Sequence, residues 1–175
     1  MTVHTTYFGG LSSYDPAEEA SVFGVVRYPQ DFVARITDRN IPAVAPPEDL
    51  LNAYKTVEEA AEDNGEFNPA AIAWNSVDFE RRYLAHLEAK GPQTVLEELI
   101  DRVRERDIWL VCWEKDARWC HRRLLANAII AQLDETEIVH HPDPTTIPVG
   151  DGDDSDEAAE TGPTLEDFAE GERAR

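Results

Sequence analysis

The run DIWLVCW at residues 107–113 is apolar at nearly every position. A strand with one wet face alternates apolar and polar residues, whereas a strand buried on both faces reads as a continuous apolar stretch. Helical periodicity brackets this run on both sides. Before it, PQTVLEELIDRVRER opens with Pro92 and carries Leu96, Leu99, Ile100 and Val103 on one face. After it, ARWCHRRLLANAIIAQL carries Leu124, Leu125, Ala128 and Ile129. A doubly buried strand between two helices belongs to a mainly parallel sheet, because parallel neighbours are joined by crossovers that lie on the sheet faces.

The rest of the chain repeats this alternation. TVHTTYF (2–8) reads as a strand ending at Gly9-Gly10, SVFGVVRYP (21–29) as a strand closed by Pro29, and TEIVHH (136–141) as a last short strand. IPAVAPP (41–47) reads as a short strand or an extended loop. QDFVARITDR is helical through Phe32 and Ile36. EDLLNAYKTVEEAAEDNG is helical through Leu50, Tyr54 and Val57, with Gly65 as its stop. PAAIAWNSVDFERRYLAHLEAKG reads as one or two helices with Phe79, Tyr83 and Leu87 in a stripe. The expected fold is a three-layer, Rossmann-like α/β sandwich in a single domain over residues 1–149. Residues 150–175 hold ten acidic residues against two arginines and few apolar ones. Such a segment cannot offset its ordering entropy, so a disordered acidic tail is expected there.

Charge narrows the functional classes. The chain carries 36 acidic and 16 basic residues, a net charge of −20. Only Lys55, Lys90 and Lys115 among the bases are lysine. The composition resembles that of proteins from salt-in halophiles and implies a haloarchaeal-type chain. A strongly acidic surface argues against general binding to duplex nucleic acid, which needs basic stripes. No window approaches the roughly 18–20 apolar residues of a membrane span. The stretch MTVHTTYFGG lacks the features of a secretory signal. Two cysteines make no disulfide framework, so a cytoplasmic protein with reduced thiols is expected.

Both cysteines fall in VCWEKDARWCHRR, residues 111–123. In a parallel sheet, ligands sit beyond the carboxyl ends of the strands. Cys112 is expected at such an end, with a βα loop following and Cys120, His121 and Arg122 in the first turn of the next helix. A helix N-terminus and neighbouring cations favour a thiolate, so Cys120 is the candidate nucleophile. His121 would assist it, and Arg122 or Arg123 would hold an anion. Glu114 would act as acid or base, or orient an arginine. Cys112 reads either as a buried small hydrophobe or as a resolving thiol. The thiols lack a close C-x2–4-C pair, and adjacent side chains on a helix diverge, so no metal or cofactor is expected. Glycine-rich phosphate fingerprints are absent as well.

WLVCWEKDARWCHRRLLANAI resembles the signature of domain-of-unknown-function family 488, in which a strand ends in cysteine, a glutamate follows two residues on, and Cys-His-Arg heads a helix. Upstream, TYFGGLSSY is similar to the family's opening strand and glycine turn. VVRYP keeps the family's arginine and proline as Arg27 and Pro29, but has Val25 where an acid is the pattern. The resemblance implies a Rossmann-like layout and a site at Cys120, His121 and Arg122, with Arg27 as a second anion contact. It implies no particular reaction.

Two functions are expected to compete. One is a thiol-dependent or anion-handling enzyme acting on a small molecule or nucleotide. The other is a non-catalytic module that binds a nucleotide or a nucleic-acid end. A third reading is a structural or partner-binding domain, with Trp74, Trp109, Trp113 and Trp119 at an interface.

Overall fold

A computed structural model describes residues 1–149. The acidic tail expected over residues 150–175 lies outside the described residues. The strands are β1 (Thr2–Tyr7), β2 (Ser21–Gly24), β3 (Arg39–Asn40), β4 (Ile108–Cys112) and β5 (Glu137–His140). The helices are α1 (Leu11–Tyr14), α2 (Val33–Ile36), α3 (Glu48–Asp63), α4 (Pro69–Ser76), α5 (Phe79–Leu87), α6 (Lys90–Glu105) and α7 (His121–Ile130). The strands form one sheet in the order β3-β2-β4-β1-β5, and every pair is parallel. The fold is the α/β sandwich with a parallel sheet that the alternation implied.

This order decides which helices cover which face. Parallel crossovers are right-handed, so connections running in opposite directions along the sheet lie on opposite faces. β1 to β2 and β2 to β3 run one way and carry only α1 and α2, about one turn each. β3 to β4 and β4 to β5 run the other way and carry α3 to α7. One face is therefore thickly covered and the other thinly. On the thick face α7 packs on β1, β4 and β5, and Cys112 of β4 meets His121 of α7. On the thin face Trp109 is sandwiched between His4 and His141, with ring centroids 4.4 and 4.9 Å away. Tyr14 of α1 packs against His141 in turn. Side-chain stacking here does the covering that helices do on the other face.

β4 is the central strand, and all five of its residues are buried. That explains why its sequence does not alternate. Elsewhere the boundaries shift for local reasons. The stretch expected as a short strand or loop at 41–47 holds a 3-10 turn, Pro42–Val44, and the strand lies just before it at Arg39–Asn40. The two-helix option holds for residues 69–87, with Asn68 accepting from the Ala71 amide at the start of α4. Gly65 closes α3 with φ +67°, where a side chain would be strained.

At Gly24, the last residue of β2, the neighbouring chain comes too close for a side chain. A Cβ there would lie 2.7 Å from Asn40 Oδ1 and 3.3 Å from a Val33 methyl. Asn40 is not free to withdraw: its amide donates to Val26 O at 2.9 Å and its Oδ1 accepts from the Val26 amide at 3.2 Å. That clamp sets the path of the chain into Arg27. Gly24→Ala is expected to destabilise the protein by about 1–3 kcal/mol, the usual cost of overpacking. A denaturant midpoint unchanged from the parent would show that the clamp yields without cost.

Candidate functional site

The site is built where β2 and β4 end. Cys112 is the last residue of β4, 2% exposed, and points to the thick face. The chain then loops through Glu114 to a 3-10 turn, Ala117–Trp119, capped by Asp116, whose carboxylate accepts from the Arg118 amide. Helix α7 begins at His121. Residues 117–119 belong to the separate turn, and Cys120 is the cap residue in extended conformation, φ −126° and ψ 136°. The expected placement of Cys120 inside the first helical turn is thereby corrected. The consequence is chemical: outside the helix, Cys120 and His121 need not diverge, and both turn inward, 1% and 5% exposed.

Four donor atoms from Cys112, Glu114, Cys120 and His121 lie within 4.8 Å of one another. Cys112 Sγ and Cys120 Sγ stand 2.8 and 3.3 Å from Glu114 Oε2. They stand 3.8 and 3.9 Å from His121 Nδ1. The other ring nitrogen, Nε2, donates to Val25 O at 2.7 Å, which fixes the imidazole and aims Nδ1 at the sulfurs. Tyr83 packs edge-on against the same ring, and its hydroxyl donates to Val44 O at 2.7 Å.

Arg122 is fully buried. Its terminal nitrogens donate to the carbonyls of Glu114 and, at 2.9 Å, Lys115. It does not line the cavity beside the thiols, so it holds the loop where an anion contact was expected. Among the described residues it has no carboxylate within ion-pair distance. A buried guanidinium without a counter-charge is costly, and the nearby sulfurs are the available place for that charge. Burial by itself would push the Cys120 thiol up. The hydrogen bond from Cys112, the Arg122 guanidinium and His121 outweigh it and hold Cys120 well below the usual thiol value. Burial, the hydrogen bond with Cys120 and its charge push Cys112 well above that value. The two thiols thus share one negative charge. Glu114 is raised by burial and by the Cys120 charge. His121 is raised because the Cys120 charge, its hydrogen bond to Cys120 and Glu114 overcome desolvation.

A cavity of about 70 Å³ opens beside the sulfurs. Tyr54, Phe79 and Trp119 wall it, and Arg27, Tyr28 and Trp113 lie at its lining with Cys112, Glu114, Cys120 and His121. Arg27 donates through Nε to Pro46 O at 2.6 Å and, among the described residues, forms no ion pair. The structure therefore brings together Arg27, Cys112, Glu114, Cys120 and His121. Arg123 instead reaches Glu80, at 3.4 Å, and lies over the Trp74 ring. Trp74 and Trp109 are core residues, and Trp113, 36% exposed, meets Phe8 and Phe32 beside the cavity.

Sequence reading missed the cavity wall. Tyr54 and Phe79 fall on helical stripes and look like ordinary core positions. Trp119 gave one signal that needs the structure to see: its buried indole N–H has no partner among the described residues.

The parallel α/β sheet has a Rossmann-like layout, and a thiol pair and an imidazole lie at the carboxyl end of its central strand. The family model for the active DUF488-N3 subclade matches residues 8–133, which include α1 to α7 and every residue of the site. The chain belongs to domain-of-unknown-function family 488. No curated protein and no solved structure matches it. Among the described residues no helix is long and apolar enough to cross a membrane.

Proposed function

We propose that the chain is a thiol-dependent enzyme acting on an anionic small molecule or nucleotide. The observation that carries this reading is one cavity lined by Cys120, His121, Glu114 and Arg27, an arginine that forms no ion pair among the described residues. In a chain of net charge −20, an arginine without a carboxylate at a cavity is well suited to an incoming anion.

The chemistry follows from the contacts. Cys120 attacks as the thiolate, and a bond forms from Sγ to an electrophilic atom of the ligand. The leaving group departs with the bonding electrons and takes a proton from His121. The Cys112 thiol donates to the negative sulfur before attack, and the Arg122 and His121 charges favour it. Arg122 is a positioning residue, because it fixes the loop carbonyls and does not line the cavity. The cavity, about 70 Å³, receives the reacting group. The bulk of a nucleotide would lie outside, across Arg27, Tyr28 and Trp113.

Iodoacetamide labelling of chelator-treated protein tests the thiol. One cysteine is expected to react quickly at neutral pH, and mass spectrometry should place it at Cys120. Labelling that is slow, or that falls on Cys112, would remove the nucleophile. A thermal-shift screen of nucleotides and phosphorylated metabolites in molar KCl tests the anion. A ligand that stabilises the parent and not Arg27→Ala supports the reading. Stabilisation without turnover would favour the binding module over the enzyme.

A further inference from the structure

We infer that Cys112, Glu114, Cys120 and His121 form a binding site for one thiophilic divalent cation, Zn²⁺ fitting best. The inference rests on the same sulfurs as the proposed nucleophile but not on its catalysis. Its basis is geometric. The four donor atoms already lie within 4.8 Å of one another. A tetrahedral zinc with ordinary bond lengths separates sulfur from nitrogen by about 3.6 Å. The observed separations of 3.8 and 3.9 Å from His121 Nδ1 to the two sulfurs are close to this. The carboxylate sits tighter, at 2.8 and 3.3 Å from the sulfurs, and would swing back slightly to admit the ion. Glu114 is half-buried on a loop, so it can make that movement.

The surroundings suit an ion as well. Two sulfurs and an imidazole select a soft or borderline metal over Mg²⁺ or Ca²⁺, which take oxygen ligands. His121 donates its far N–H to Val25 O at 2.7 Å, the arrangement by which a metal-ligating histidine is oriented and its tautomer chosen. Two thiolates, one carboxylate and a divalent cation sum to a single negative charge. The fully buried Arg122 guanidinium, held by the loop carbonyls, offsets it. Binding itself expels the thiol protons. Adjacent Cys120 and His121 can share one ion because Cys120 has extended backbone and is not on the helix. Strand, loop and cap converge without a close cysteine pair.

A bound cation would mask Cys120, since one thiolate cannot serve fully as ligand and nucleophile together. The site would then have two states, a metal-free reactive one and a capped one.

Cobalt titration into chelator-treated protein under reducing, oxygen-free conditions tests this. Thiolate-to-cobalt charge-transfer bands and intense tetrahedral d–d bands are expected, saturating at one equivalent and lost when Zn²⁺ is added. The bands should weaken in Cys112→Ser. Should that variant fold poorly, protection of the parent is an independent readout: Zn²⁺ should slow Cys120 alkylation by about tenfold or more. No charge-transfer bands, or no protection by Zn²⁺, would overturn the metal site. Fast Cys120 labelling without cobalt binding leaves the enzyme reading standing and removes this one. Stoichiometric cobalt binding with slow labelling of the stripped protein supports the metal site and removes the nucleophile.

Discussion

Arg122→Met is expected to lower stability by about 3–5 kcal/mol, the range for breaking up a buried charged group and its partners. Arg122 is fully buried, and its fork donates to the carbonyls of Glu114 and Lys115. Methionine fills much of the volume and supplies no donor. Both carbonyls then lose their donor, and Cys120 loses a charge that helps hold its thiol down. Equilibrium denaturation in molar KCl measures the first effect. Arg122→Lys separates the two contributions, because it keeps the charge but cannot reach two carbonyls with a planar fork. It is expected to fall between the parent and Arg122→Met in stability. A loss below about 1 kcal/mol for Arg122→Met would mean that the loop is held by other contacts.

His121→Ala is expected to act on stability and reactivity together. Val25 O loses the donor it meets at 2.7 Å, which costs about 1–3 kcal/mol for a buried acceptor. The sulfurs lose the cationic ring that helps hold Cys120 down. The sign is fixed by that loss: without the imidazolium the thiolate forms at higher pH, so labelling should require more alkaline solution. Each unit of upward shift lowers the thiolate fraction about tenfold below the new pKa. The check is the rate of iodoacetamide labelling against pH in chelator-treated protein. A profile that does not move upward would show that His121 only orients the site. His121→Gln is the companion variant, since an amide can still donate to Val25 O and so separates the carbonyl bond from the charge.

Much of the fold was legible in the chain. The unbroken apolar run of β4 announced a strand buried on both faces, and all five of its residues are buried. Its helical neighbours announced parallel pairing. Less legible were the short elements. β3 is two residues, too short for periodicity to show, and the helix expected over QDFVARITDR is only the four residues of α2. The start of α7 was misplaced because ARW and HRRLLANAII run together in hydrophobic pattern. The Asp116 cap and the extended Cys120 that divide them are backbone events.

The site divides along the same line. Local sequence put two thiols, a carboxylate and an imidazole within ten residues, and the helix start after β4 made their neighbourhood foreseeable. It could not distinguish Arg122, facing the loop carbonyls, from an arginine facing a ligand, because the two differ only in a side-chain direction. Nor could it bring Arg27, Tyr54 and Phe79 to the same cavity, since they come from other parts of the chain.

By itself, the sequence determined the parallel α/β class, the central strand and the residue types of the candidate site. Those depend on hydrophobic pattern and side-chain chemistry, which are local. Tertiary structure alone decided that Cys120 stands outside its helix, that one buried guanidinium and two sulfurs share an enclosure, and that four donor atoms meet within 4.8 Å. Those depend on which strand ends lie side by side, and strand order is set by crossovers spanning most of the chain.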